Sequence, residues 1–121
     1  MAKSILIIDD SSVNNILLEN ILSEQGFDVA TTFNASQAFN KINEKTPDLI
    51  LLDIMMPGIN GHVILEQLKA DLQTKSIPVI MVSAKSDSAD IQRSLELGAH
   101  DHIVKPINIK GIVDKIRNIL N

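Results

Sequence analysis

Five short apolar runs alternate along this chain with longer stretches in which apolar residues recur every three or four positions. Residues 4–8, 28–32, 49–52, 78–82 and 102–104 read as strands. The third and fourth contain almost unbroken aliphatic runs, Leu49-Ile50-Leu51-Leu52 and Val79-Ile80-Met81-Val82, as expected of central strands covered on both faces. Between the strands the helical period returns. The first helix is predicted to bury a stripe of Val13, Ile16, Leu17, Ile21 and Leu22, with Gly26 where a C-terminal cap belongs. The second carries Ala35, Ala38, Phe39 and Ile42 and stops before Pro47; the third carries Ile64, Leu65 and Leu68. The last has the clearest stripe, Ile109, Ile112, Val113, Ile116 and Leu120. The fourth, about residues 88–97, is the weakest, with Ile91 and Leu95 supplying most of its apolar face, so it should shift more easily than the others.

Strand and helix in strict alternation imply an α/β fold, a doubly wound five-stranded parallel sheet with right-handed crossovers and helices on both faces. The pattern alone leaves the strand order open. No linker, low-complexity tract or internal repeat interrupts it, so residues 1–121 read as one domain.

Polar residues break the apolar pattern at one kind of place. Asp9 and Asp10 follow the first strand, Asp53 the third, Ser83 the fourth and Lys105 the fifth. In an open parallel sheet the ligand crevice lies beyond the carboxyl ends of the strands. Four of five strands therefore deliver a polar group to the same edge. An Asp, Ser or Lys after a single strand is usually a cap or turn residue; only the joint placement points to chemistry. Three carboxylates held together repel one another and invite a cation. Magnesium suits the task, taking a few carboxylates and completing its octahedron with water and phosphate oxygens, with manganese as a substitute. A carboxylate beside such an ion can attack phosphorus and become an aspartyl phosphate. Lys105 can then meet the phosphoryl charge and the Ser83 hydroxyl can donate to a phosphoryl oxygen.

Composition narrows the field further. With no cysteine there are no disulfides, thiolate nucleophiles or cysteine zinc sites. The apolar run after Lys3 is too short for a secretory signal, and no run approaches the roughly 20 residues that span a bilayer. A net charge of −4 argues against non-specific binding to nucleic acid. The expectation is a cytoplasmic protein with neither membrane nor direct nucleic-acid contact.

The segments Ile7-Ile8-Asp9-Asp10, Pro47 to Gly61 with Asp53 at its centre, Pro78 to Ala84 and Gly98 to Pro106 occur in an order and spacing that resembles the response-regulator receiver family of two-component signalling. The resemblance spans the whole chain. It implies a flavodoxin-like strand order 2-1-3-4-5, Asp53 as phospho-acceptor, and a magnesium site of Asp9, Asp10, Asp53 and the Met55 carbonyl. Asp10 binds the ion directly in this picture, and Asp9 acts through water. Ser83 takes the position of the switch hydroxyl and Lys105 that of the phosphate contact. A cis Lys105–Pro106 bond is also implied, one that only an X–Pro pair makes inexpensive.

Departures from the family pattern are informative. His102 stands where a switching Tyr or Phe is usual, and the chain has no Tyr or Trp. Imidazole is smaller and titrates near neutrality, so His102 is expected to report activation with some sensitivity to pH. His62 and His100 read as ordinary surface histidines. Met55 and Lys85, two residues beyond the acceptor and the switch hydroxyl, are expected to obstruct water and slow self-dephosphorylation.

The resemblance implies a phosphodonor, either a histidine kinase or a histidine phosphotransfer protein. It also implies a downstream protein effector bound through the fourth helix, fifth strand and fifth helix, by a monomer or a phosphorylation-dependent dimer. No turnover of an outside substrate is expected. A haloacid-dehalogenase-type phosphatase needs an acid two positions after its nucleophile, where this chain has Met55. A flavin or nucleotide carrier lacks its glycine-rich loop. The remaining alternatives are a receiver fragment of a larger regulator or hybrid kinase, and a docking module that is never phosphorylated.

Overall fold

A computed structural model describes residues 2–84 and 88–120. Its elements are β1 (Ser4–Ile8), α1 (Ser12–Glu24), β2 (Asp28–Thr32), α2 (Ala35–Glu44), β3 (Leu49–Asp53), β4 (Met55–Met56), β5 (Ile59–Asn60), α3 (Gly61–Ala70), β6 (Val79–Ser83), α4 (Ser88–Glu96), β7 (Asp101–Val104) and α5 (Ile109–Leu120). Five strands form one parallel sheet in the order β2-β1-β3-β6-β7. Setting aside the two-residue strands β4 and β5, this is the flavodoxin-like order 2-1-3-4-5.

The aliphatic runs explain the layers. Alternate residues of a strand face opposite sides, and both sides here are apolar. Leu6, Ile8, Ile50, Leu52, Val79 and Met81 pack against α2 and α3 on one face; Ile5, Ile7, Leu49, Leu51 and Ile80 pack against α1 and α5 on the other. Each fully buried Leu or Ile contributes roughly 1.5–3 kcal/mol, so these two half-cores dominate stability.

Two strands run one residue further than the apolar pattern suggests. Asp53 pairs with Val82 and Ser83 with Val104, because the ladder continues through the first polar residue. The Ile54 N–H then donates to the Val82 carbonyl at 3.1 Å. The fourth strand of the sheet begins at Val79, and Pro78 contributes only its carbonyl, which accepts from Ile50. The fifth starts one residue early, at Asp101. The Lys105–Pro106 bond is cis.

Helix α1 is rotated from its predicted face. Val13, Ile16 and Leu17 are exposed, and the buried residues are Asn15, Leu18 and Leu22. Apolar residues lie nearly all round this helix, so periodicity could not choose a side; the choice falls to Asn15, whose Nδ2 donates to the Asp9 carbonyl at 2.9 Å. At the other end Gly26, at φ 93°, closes a Schellman turn: its N–H reaches the Ser23 carbonyl and that of Phe27 the Leu22 carbonyl. Helix α4 is likewise corrected. Leu95 is exposed, Ile91 is only half-buried, and the residue that α4 buries is Ser94. In α5, Ile109 is half-exposed while Ile112, Val113 and Ile116 are buried as expected. Among the described residues no helix is long and apolar enough to cross a membrane.

The stretch after Asp53, legible only as a turn, is a small antiparallel hairpin in which Met55 pairs with Asn60 and Met56 with Ile59. It brings the start of α3 back onto the end of β3. Gly61 donates to the Ile54 carbonyl at 2.7 Å, and a Cβ at this position would collide with the Asp53 carbonyl. The obstacle is backbone and cannot swing aside. Gly61→Ala is therefore expected to lower stability by about 1–3 kcal/mol, read as a lower urea midpoint with unchanged slope.

Candidate functional site

The sheet delivers its polar residues to one edge. Asp9 leaves β1, Asp53 ends β3, Ser83 ends β6 and Lys105 leaves β7. Asp9 and Asp53 are buried, and Asp10 is exposed. One carboxylate oxygen from each of Asp9, Asp10 and Asp53 lies within 4.8 Å of the others. The Lys105 Nζ stands 3.4 Å from Asp9 and 3.8 Å from Asp53. Four of the five residues that sequence reasoning placed at this edge, Asp9, Asp10, Asp53 and Lys105, thus lie within a few ångströms of one another.

Local hydrogen bonds fix this arrangement. The Asp9 N–H donates to the Thr32 carbonyl, and its carboxylate accepts from the Ser11 N–H at 2.9 Å. Ser11 in turn caps α1, its Oγ accepting from the Asn14 N–H. Lys105 is anchored through its backbone, which donates to the Ser83 carbonyl at 2.7 Å. Ser83 itself is fully buried. The exposed Met55 side chain stands beside an open groove lined by Asp10 and residues 54–60. Lys85 lies outside the described residues. A second cavity of about 180 Å³, lined in part by Ser4, Asp28, Lys41 and Lys45, sits at the opposite end of the strands, away from the acidic cluster.

The histidines fall out differently from expectation. His100 is exposed, but His62 is buried, and its Nε2 lies 2.9 Å from the Ser94 Oγ. The same Oγ is 2.9 Å from the Nδ1 of half-buried His102. His62 sits one turn before Leu65 on the buried face of α3, and that spacing was the available signal. Asn15, three residues before Leu18 on the buried face of α1, was missed for the same reason. Ser94 gave no comparable sign.

Electrostatics at the cluster are set by crowding. Burial, with the negative charge of Asp9, pushes the Asp53 carboxyl up to about 6; Lys105 and the Met55 backbone N–H pull it down, and Asp10 adds to the rise. Such a site favours a proton or a cation over a bare charge. The folded-state value exceeds the unfolded one, so ionised Asp53 opposes folding fully above about 6, and the penalty fades toward the unfolded value near 4. With divalent ions chelated, Asp53→Asn is expected to raise stability at pH 7.5 by about 1–3 kcal/mol. That gain should shrink as pH falls from 6 to 4, as measured by urea denaturation across the range.

Comparison with known proteins agrees with this geometry. Residues 5–117 match the model of the response regulator receiver domain. The chain is 38% identical over 117 residues to the DNA-binding response regulator MtrA of Mycolicibacterium paratuberculosis, covering 97% of this chain and 51% of that protein. It is 37% identical over 120 residues to the phosphate regulon transcriptional regulatory protein PhoB of Escherichia coli, covering 99% of this chain and 52% of that one. The chain thus spans about half the length of these curated relatives. Among solved structures, a response regulator from Chloroflexus aurantiacus superposes with a TM-score of 0.93 at 28% identity, covering 99% of this chain and 98% of the other. The receiver domain of a histidine kinase from Syntrophus aciditrophicus gives 0.89 at 34% identity, covering 98% and 90%. A family match over residues 5–117, relatives above one-third identity and a carboxylate cluster at the carboxyl edge of a 2-1-3-4-5 sheet converge: this chain belongs to the response regulator receiver family.

Proposed function

We propose that this receiver accepts a phosphoryl group on Asp53 and uses it to reposition α4, β7 and α5 for a partner protein. The observation that carries the reading is the carboxylate of Asp53 held within 4.8 Å of those of Asp9 and Asp10, with the Lys105 ammonium 3.8 Å away. The donor set, three carboxylates with the Met55 carbonyl nearby in sequence, fits magnesium, with manganese as a substitute. When bound, the ion neutralises the acidic cluster and the charge of the transferred group.

The chain's own residues do the rest. An Asp53 carboxylate oxygen attacks the phosphorus of a phosphohistidine; the P–N bond breaks and the imidazole leaves with its electron pair. Lys105 holds the negative charge of the arriving phosphoryl group, and the Ser83 hydroxyl donates to one of its oxygens. That last contact distinguishes the phosphorylated from the unphosphorylated state, so it biases the segment leading from β6 into α4. The donor is a histidine kinase or a histidine phosphotransfer protein. An apolar groove of about 220 Å³ supports docking beside the site: it runs past Leu17, Leu18 and Ile21 of α1 to Ile107 and Ile109, and Lys105 lines it.

The relatives favour a second reading for the chain's context. MtrA is named a DNA-binding regulator and PhoB a transcriptional one, each about twice this chain's length, while another neighbour is a receiver within a histidine kinase. The receiver here acts either through protein contacts alone or as part of such a longer regulator; in the second case contact with nucleic acid would belong to residues outside this domain.

Incubation with acetyl phosphate is expected to add one phosphoryl group, seen by intact mass, only when magnesium is present. Asp53→Asn should abolish it. Labelling that persists in this variant, or that ignores chelation, would favour a different acceptor, and complete absence of labelling would favour a docking module. Met55, about half exposed at the rim, is placed to hinder water. Met55→Ala is therefore expected to speed loss of the aspartyl phosphate several-fold, followed by the decay of labelled protein.

A further inference from the structure

The fourth helix of a doubly wound domain ordinarily holds to the sheet by apolar knobs. Here the single residue that α4 buries, among those described, is Ser94. Its hydroxyl is surrounded by three partners: the Asp90 carbonyl at 3.0 Å, His62 Nε2 of α3 at 2.9 Å and His102 Nδ1 of β7 at 2.9 Å. A hydroxyl has one proton and two lone pairs. With the proton given to Asp90, both imidazoles must donate to the oxygen, which assigns N–H to His62 Nε2 and His102 Nδ1. The remaining nitrogen of His102, Nε2, is buried and has no hydrogen-bond partner among the described residues. As a bare lone pair this is tolerable. As a second N–H on a cation it would be a buried, unpaired charged donor.

We propose that Ser94, His62 and His102 form a latch pinning α4 to α3 and β7, and that a second proton on His102 opens it. The side-chain ion pair that also joins α4 to α3 is weak. Arg93 and Glu66 join α4 to α3 at 3.4 Å but are exposed, so their ion pair adds little. The charges facing the latch are mixed. Asp90 on α4 and Asp101 on β7 favour protonation of His102, and His62 opposes it; Asp90 and Glu66 favour protonation of His62, and Arg93 opposes it. Asp101 is itself engaged by Lys115 of α5 at 2.6 Å. Burial prevails, and both imidazoles are held below their ordinary range. The latched form therefore binds fewer protons than the released form. Its stability is complete above the ordinary imidazole value of about 6.5 and declines as pH falls below it.

Coupling of the latch to Asp53 rests on the function proposed above; protonation of the latch does not. Two measurements on the full chain separate them. In the first, NMR follows the three imidazoles from pH 5 to 8, together with amide exchange in α4 corrected for intrinsic rates. His62 and His102 are expected to titrate below their own midpoints in the urea-unfolded chain. Protection of the α4 amides is expected to fall several-fold between pH 7.5 and 5.5, and to fall less in His102→Phe, which keeps a ring and leaves His62 as the one titrating imidazole of the latch. Unfolded-like midpoints, or α4 protection that ignores pH in the wild type, overturn the latch. In the second, beryllofluoride with magnesium serves as phosphoryl mimic. Wild-type affinity relative to His102→Phe is expected to rise as pH falls, since titration of Asp53 is common to both proteins. A constant ratio overturns the coupling. Failure of the wild type to bind the mimic overturns the reading of Asp53, and the first experiment still decides the latch.

Discussion

Like charges that cannot leave one another govern this domain. Asp9 and Asp53 emerge from adjacent central strands whose register is locked by Ile5 opposite Leu49 through Ile8 opposite Leu52. Because the strands are parallel, their carboxyl ends share an edge, and the two acids that follow them have no freedom to separate. The register itself is enforced by the half-cores above and below, where a slip of one residue would exchange the two apolar faces. Packing energy thus holds open an electrostatic conflict, which Lys105 only partly relieves. A proton or a metal ion would each relieve it in a different way, so the apolar core and the chemistry of the edge are one problem.

Much of this was legible in the residues. Leu49 to Leu52 and Val79 to Val82 read as buried strands from their aliphatic runs alone, and the polar residue after each marks the edge. What escaped was the side on which ambiguous helices dock. In α1, Val13, Ile16 and Leu17 look as apolar as Leu18 and Leu22; the decision depended on the Asn15 amide finding the Asp9 carbonyl, an interaction between residues whose geometry no periodicity encodes. In α4 the sequence offered Leu95 and the fold took Ser94. His62 read as a surface residue, although its spacing puts it on the α3 stripe, and a lone histidine on an apolar face says nothing of its partner until three elements are assembled.

The hairpin after Asp53 shows the complementary case. Its turn residues announced a tight exit, and Gly58 and Gly61 supply the unusual φ and the close approach the exit requires. What they could not announce is that α3 begins in contact with the Asp53 backbone. Through His62, the same helix then reaches α4 and β7. One helix therefore touches both the acidic edge, at the backbone of Asp53, and α4 through Ser94.

An anchor made of one hydroxyl and two imidazoles has a thermal character of its own. Apolar burial carries a large heat-capacity change, so a helix held by leucines would grip differently at each temperature. The helix itself adds little apolar area to this anchor, since Leu95 is already in water and Ile91 is only half-buried. The equilibrium between its positions should then carry a smaller heat-capacity difference than that of a leucine-held helix, and a straighter van't Hoff line. Cooling or warming the domain would rescale this balance more evenly than it rescales the stability of the fold around it.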